Sequence, residues 1–161
     1  MLDTKPELIT REKTRFANYF LDDFTLTSHN KEGDIRYTLK ARRLDNFEDE
    51  NLAEVQQIEA TFYNKNSIWT LSAGKARLFH NNKQIEFYDG VKINRPKEND
   101  RPALQVSTNS ITLQSDTEIL QTNDAVTLVS GDTTFQSKGL SFNNEKGILE
   151  LKSNVKGRYV K

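Results

Sequence analysis

The stretch from residue 69 to residue 91 decides the fold. It reads Trp69-Thr-Leu71-Ser-Ala73-Gly-Lys-Ala76-Arg-Leu78, a turn through Asn81-Asn82, then Ile85-Glu-Phe87-Tyr-Asp-Gly90-Val91. Apolar and polar residues alternate through both runs. Successive strand side chains point to opposite faces, so alternation marks a sheet with one buried and one wet face. The same rhythm returns in Tyr37-Thr-Leu39-Lys-Ala41, Val126-Thr-Leu128 and Leu149-Glu-Leu151. Turn formers separate the runs, at Asn30-Lys-Glu-Gly33, Asn123-Asp124, Asn143-Asn144 and Lys146-Gly147. The expectation is an all-β, meandering antiparallel sheet. A turn or two of helix is expected only around Glu7–Phe20.

The chain also repeats itself. With Leu44, Ala76, Ile111 and Leu140 as anchors, a small residue stands three positions before each: Ala41, Ala73, Thr108 and Ser137. Two positions earlier stands an apolar one: Leu39, Leu71, Val106 and Phe135. Beyond the last three anchors, Ile85, Leu120 and Leu149 share one offset, and Val91, Val126 and Val155 another. Each copy reads as strand, turn, strand, turn, strand, and the copies stack. The motif apolar-x-small-x-x-apolar breaks strict alternation at the same place each time, where a bulge or corner re-aims the strand.

A lone hairpin is marginal in water, so the copies must bury their apolar faces together, as an elongated jelly roll or clamp-shaped sandwich. The inward face is expected to include Phe24, Leu26, Leu39, Phe62, Leu71 and Leu78. Further along come Phe87, Val106, Leu113, Phe135, Phe142, Val155 and Tyr159. The small residues either let two layers approach closely or leave an apolar furrow of the kind that takes lipidic ligands. An unclosed sheet has a free edge at each end, open to strand addition. The final candidate strand, residues 152–161, carries four basic residues that protect such an edge until a partner takes it.

Composition excludes several functions. At 161 residues with 35% hydrophobic and 29% charged residues, the chain suits one globular domain. Formal net charge is zero, so nucleic acid is not an expected partner; the clusters Arg42–Arg43, Arg95–Lys97 and 152–158 read as solvated surface. The absence of cysteine removes disulfides, thiolate metal sites and a cysteine nucleophile. His29 and His80 fall in different repeats and converge on no metal site, so no metal or cofactor is expected. No G-x-S-x-G elbow, G-x-G-x-x-G or P-loop is present, and no enzyme is expected. The acidic pairs Asp22–Asp23 and Asp49–Glu50 read as solvated loops, and Trp69 as a half-buried core or rim aromatic. Gly131 is expected to take positive φ at its turn; a bulky replacement would distort the hairpin feeding Phe135 and Leu140.

The ordered set Phe24-Thr-Leu26, Asn30-Lys-Glu-Gly33, Tyr37-Thr-Leu39-Lys-Ala41, the 69–91 stretch, and Ala125-Val-Thr-Leu128 through Gly131, Phe135 and Leu140 resembles the LptC family of lipopolysaccharide export, over roughly residues 20–160. The resemblance implies an open, twisted OstA-like jelly roll of about 15 short strands, with residues 1–20 a linker and 21–161 the domain. It implies a periplasmic protein held to the inner membrane by an N-terminal helix that these residues lack. Lipopolysaccharide would pass from an inner-membrane ABC transporter complex, docked at the N-terminal edge, to an LptA-type bridge protein at the C-terminal edge. Phe24, Val55 and Tyr159 would face the lipid, and Val155, Arg158 and Tyr159 would form the partner edge. Pairing of two copies, a purely structural β-module, and the bridge protein itself are the alternatives.

Overall fold

The computed structural model describes residues 17–64, 67–81 and 83–159. Ten strands follow in order: β1 (Tyr19–His29), β2 (Ile35–Phe47), β3 (Leu52–Tyr63), β4 (Ile68–Phe79), β5 (Gln84–Arg95), β6 (Leu104–Thr108), β7 (Ile111–Gln114), β8 (Ile119–Ser130), β9 (Thr133–Asn143) and β10 (Ile148–Tyr159). One 3-10 turn, Glu48–Glu50, joins β2 to β3. Most of the helix expected near the N-terminus lies outside the described residues, and its last two positions, Tyr19 and Phe20, open β1. Asp22 and Asp23 are also strand residues rather than loop.

All strands form one antiparallel sheet in the order β1-β2-β3-β4-β5-β6-β8-β9-β10, with β7 between the remaining halves of β5 and β8. Apart from a register shift at Ser28/His29 near the end of β1, the ladder is disturbed along a single line. Asp23, Gln57, Asp89, Gly90, Gly139 and Asn154 take positive φ inside strands. Register shifts fall at Ala73/Lys75, Thr122/Ala125 and Ser153/Lys156. At Asn109–Ser110 the strand breaks outright into β6 and β7. Bulges bend a strand and increase its twist, and a row of them creases the sheet so that it folds over itself. The repeated two-residue gap in the sequence is this crease.

The crease divides the sheet into two layers. The first holds residues 35–41, 58–63, 68–73, 91–95, 104–108 and 126–137; the second holds 44–55, 76–87, 111–122 and 140–143. Trp69 in the first and Phe142 in the second touch ring to ring, with centroids 4.5 Å apart, although no ladder joins β4 to β9. The expected half-buried tryptophan is therefore fully inside, its Nε1 donating to Ser67 Oγ at 2.9 Å. Around it one cluster runs from Tyr37 through Leu71, Phe87 and Ile111 to Leu140.

Two expectations are corrected. Among the described residues ten strands replace about 15, because a bulged strand keeps its ladder on both sides of the bend. Each repeat is a single hairpin of two long bent strands, β2–β3, β4–β5, β6/β7–β8 and β9–β10, rather than three short ones.

Candidate binding trough and sheet edges

Cross-strand pairing arranges the inward residues in rows. In the first layer one row runs Leu26, Leu39, Ala60, Leu71, Ile93, Val106, Leu128, Phe135 and Gly157 across the whole sheet. In the second layer the outer row runs Ala53, Leu78, Ile85, Leu113, Leu120, Phe142 and Leu149. Val55 and Phe87 flank Ala76 in the row beside it. Ten of the thirteen proposed lipid-contact residues thus fall in these three rows. Phe62 lies beside Trp69, Phe24 pairs Ala41 near the bend, and Tyr159 lies two residues beyond Gly157 on the same face.

Exposure varies along these rows. Leu39, Val55, Phe62, Leu71, Phe87, Val106, Leu113 and Phe142 are closed to solvent. Phe24, Leu78 and Phe135 are half-buried at the periphery. Leu26, expected inside, is 40% exposed, and Tyr159 is 65% exposed. Both belong to end strands, β1 and β10, whose inner faces have a neighbour on one side only. Val155, also expected inside, is 49% exposed; it sits in the bulge between Ser153 and Lys156, beside Asn154 at φ +50°. With Arg158 and Tyr159 it lies on the edge strand β10, which among the described residues pairs with β9 alone.

The small residues fall in one row. They alternate with branched ones along the row Ala41, Ile58, Ala73, Val91, Thr108, Val126 and Ser137, directly beside the crease. Thr108 donates its hydroxyl to the Ala125 carbonyl at 2.9 Å and Ser137 to that of Gly139 at 3.0 Å. These polar side chains satisfy carbonyls that bulging exposes, as buried groups require.

Arg95 departs from the solvated-surface expectation. It is buried, donates to the Pro102 carbonyl at 2.7 Å, and lies over the Trp69 ring at 5.5 Å. Burial, and then the charge of Arg101, lowers its pKa, with Glu98 opposing. Sequence reasoning also missed Arg36, Glu118 and Asn144, which meet across the two layers. Arg36 Nε lies 3.1 Å from Glu118 Oε2, and Asn144 Nδ2 donates to Glu118 Oε1 at 2.9 Å. Their contacts join residues 26 to 82 positions apart, a separation that leaves no periodic trace.

Gly131 takes φ +60° in the turn between β8 and β9. A Cβ there would meet Pro102 Cβ at 3.4 Å, an ordinary contact. The cost of substitution is therefore conformational, about 1–2 kcal/mol. Gly131→Arg is expected to melt roughly 2–8 °C below the parent chain; an unchanged melting curve would refute the assignment.

Among the described residues no group of three or more His, Cys, Asp or Glu could hold a metal ion, and no helix is long and apolar enough to cross a membrane. A family profile described as "Lipopolysaccharide-assembly, LptC-related" matches residues 3–160. The chain belongs to the LptC family. That family is concerned with lipopolysaccharide assembly and is not a family of enzymes. The match also favours LptC over the bridge protein kept as an alternative.

Curated relatives include the "Lipopolysaccharide export system protein LptC" of Escherichia coli (strain K12) and that of Shigella flexneri. Each is 29% identical over 114 residues, covering 70% of this chain. The match spans 58% of the relatives' length. Among solved structures, LptH of Pseudomonas aeruginosa, described as the LptA-homologous periplasmic component of a lipopolysaccharide transport device, superimposes with a TM-score of 0.55. Identity is 8%, over 86% of this chain and 96% of that one. At that identity the likeness concerns the fold, the open jelly roll.

Proposed function

We propose that this LptC-family chain is a lipid-carrying module of lipopolysaccharide export. Its acyl-chain path is the space between the two layers. It receives lipopolysaccharide at the β1 edge from an inner-membrane ABC transporter complex and releases it at the β10 edge to an LptA-type bridge protein or a second copy. The setting is the periplasm, with an inner-membrane anchor preceding residues 21–161. The observation that carries this reading is the continuous inward row from exposed Leu26 on β1 to Gly157 on β10, with exposed Tyr159 two residues further on the same face, so that both ends reach the edges left unpaired among the described residues.

The magnitudes agree with serial transfer. Each buried methylene contributes about 0.8 kcal/mol, so a chain segment of about ten gives roughly 8 kcal/mol gross. Ordering the chain and parting the layers offset much of this, which leaves an affinity weak enough for hand-over.

The closed centre favours a second reading, a structural β-module joined through its edges with a permanently packed interior. Photocrosslinkers discriminate the two. Placed at Leu39, Leu78 and Phe142, they are expected to capture lipopolysaccharide, while one at exposed Lys40 captures none. Capture at no inward position would remove the transport reading and leave the structural one.

A further inference from the structure

The two layers are continuous through the crease, yet on the side away from it they meet through side chains. There the β2–β3–β4 end of the first layer faces the turns before β8 and before β10. Arg36 donates to the Ser115 carbonyl and pairs with Glu118. Asn144 donates from one amide nitrogen to Glu118 Oε1 at 2.9 Å and to the Tyr63 carbonyl at 3.3 Å. Glu118 therefore receives both partners, one from each layer. Its own backbone is held at φ +58°, a conformation that non-glycine residues adopt at a cost.

We propose that Arg36, Glu118 and Asn144 form a latch that closes the mouth of the folded sheet and parts when an acyl chain passes between the layers. This rests on the carrier reading above. Three observations support it. The ion pair is only partly shielded, at 20% and 15% side-chain exposure, so water can replace either partner as the pair opens. The cluster is incompletely satisfied: the Asn144 side-chain oxygen is buried without a protein hydrogen bond. Closure thus leaves that acceptor underused, and opening recovers its hydration. Finally, the latch lies in a pocket of about 310 Å³ bounded by Ile35, Arg36, Tyr63, Asn64, Glu118 and Asn144.

Locking and loosening the latch test it in opposite directions. The sequence has no cysteine, so a disulfide can be introduced without competition. A Cβ at Gly147 would lie 4.0 Å from Asn64 Cγ, the position a cysteine sulfur at residue 64 would take; a small closure of the turn brings Asn64→Cys and Gly147→Cys to the separation a disulfide needs, which makes them the pair to lock. The readout is the rate of lipopolysaccharide capture by a photocrosslinker at Phe142, using purified rough-type lipopolysaccharide in micelles. Oxidised, the pair should slow capture at least tenfold, and reduction of the same sample should restore it. Glu118→Gln should speed capture severalfold. Equal rates in the oxidised pair and the parent chain would overturn the latch and leave the trough intact. No capture by any form, the parent included, would overturn both. Should Glu118→Gln fail to fold, the reversible disulfide decides alone.

Discussion

Phe142→Ala is expected to lower the free energy of unfolding by about 3–5 kcal/mol. The ring is closed to solvent and lies against Trp69 across the two layers at an interplanar angle of 46°. Truncation loses the transfer energy of the ring, leaves a cavity, and breaks an aromatic pair worth about 0.5–1.5 kcal/mol by itself. Neighbouring backbone cannot readily collapse into the gap, because β4 and β9 share no ladder and each is fixed by its own neighbours. Phe135→Ala supplies the comparison: half-buried at the periphery, it should cost less. Urea unfolding measures both. A loss below about 1 kcal/mol for Phe142→Ala, against the range usual for such truncations, would mean that the crease alone holds the layers together.

Gly139→Val should be nearly as damaging, by a different route. Gly139 sits on the crease at φ +96°, where a Cβ would approach Lys152 Cδ at 2.9 Å and the Thr122 carbonyl oxygen at 3.2 Å. The backbone conformation costs a branched residue about 1–3 kcal/mol, and overpacking adds about 1–3 kcal/mol. Relief is limited, since the Lys152 Cδ can swing away but its Cβ, 3.1 Å off, is fixed to β10 and the carbonyl belongs to β8. Gly33→Ala isolates the conformational part: its φ is +91°, with nothing within 4 Å of the added carbon. If the two substitutions proved equally costly, crowding at the crease would play no role.

Much of this architecture was legible from residue patterns because it obeys a short period. Alternation gave the inward faces, and the recurring gap between Ala41 and Leu44, Ala73 and Ala76, Thr108 and Ile111, and Ser137 and Leu140 marked where the first strand of each hairpin bends. Three features escaped. Leu26, Val155 and Tyr159 alternate as core residues do, yet are exposed, because alternation cannot tell an end strand from a central one. Arg95 lies in a basic cluster of surface type, but the fold lays it over Trp69. The trio Arg36, Glu118 and Asn144 carries no spacing signal, since the layers that unite it are brought together only when the sheet folds over.

The nearly sequential order of the sheet bears on how the chain reaches this state. Apart from the insertion of β7, each strand pairs with the one made just before or after it, which keeps contact order low for an all-β protein, and low contact order favours rapid folding. A polypeptide delivered end first could therefore zip up hairpin by hairpin, with little waiting for distant segments. The seating of Phe142 on Trp69, like the pairing of Arg36 with Glu118 and of Asn144 with the Tyr63 carbonyl, must await the second half of the chain, which makes closure of the two layers the natural checkpoint for complete synthesis.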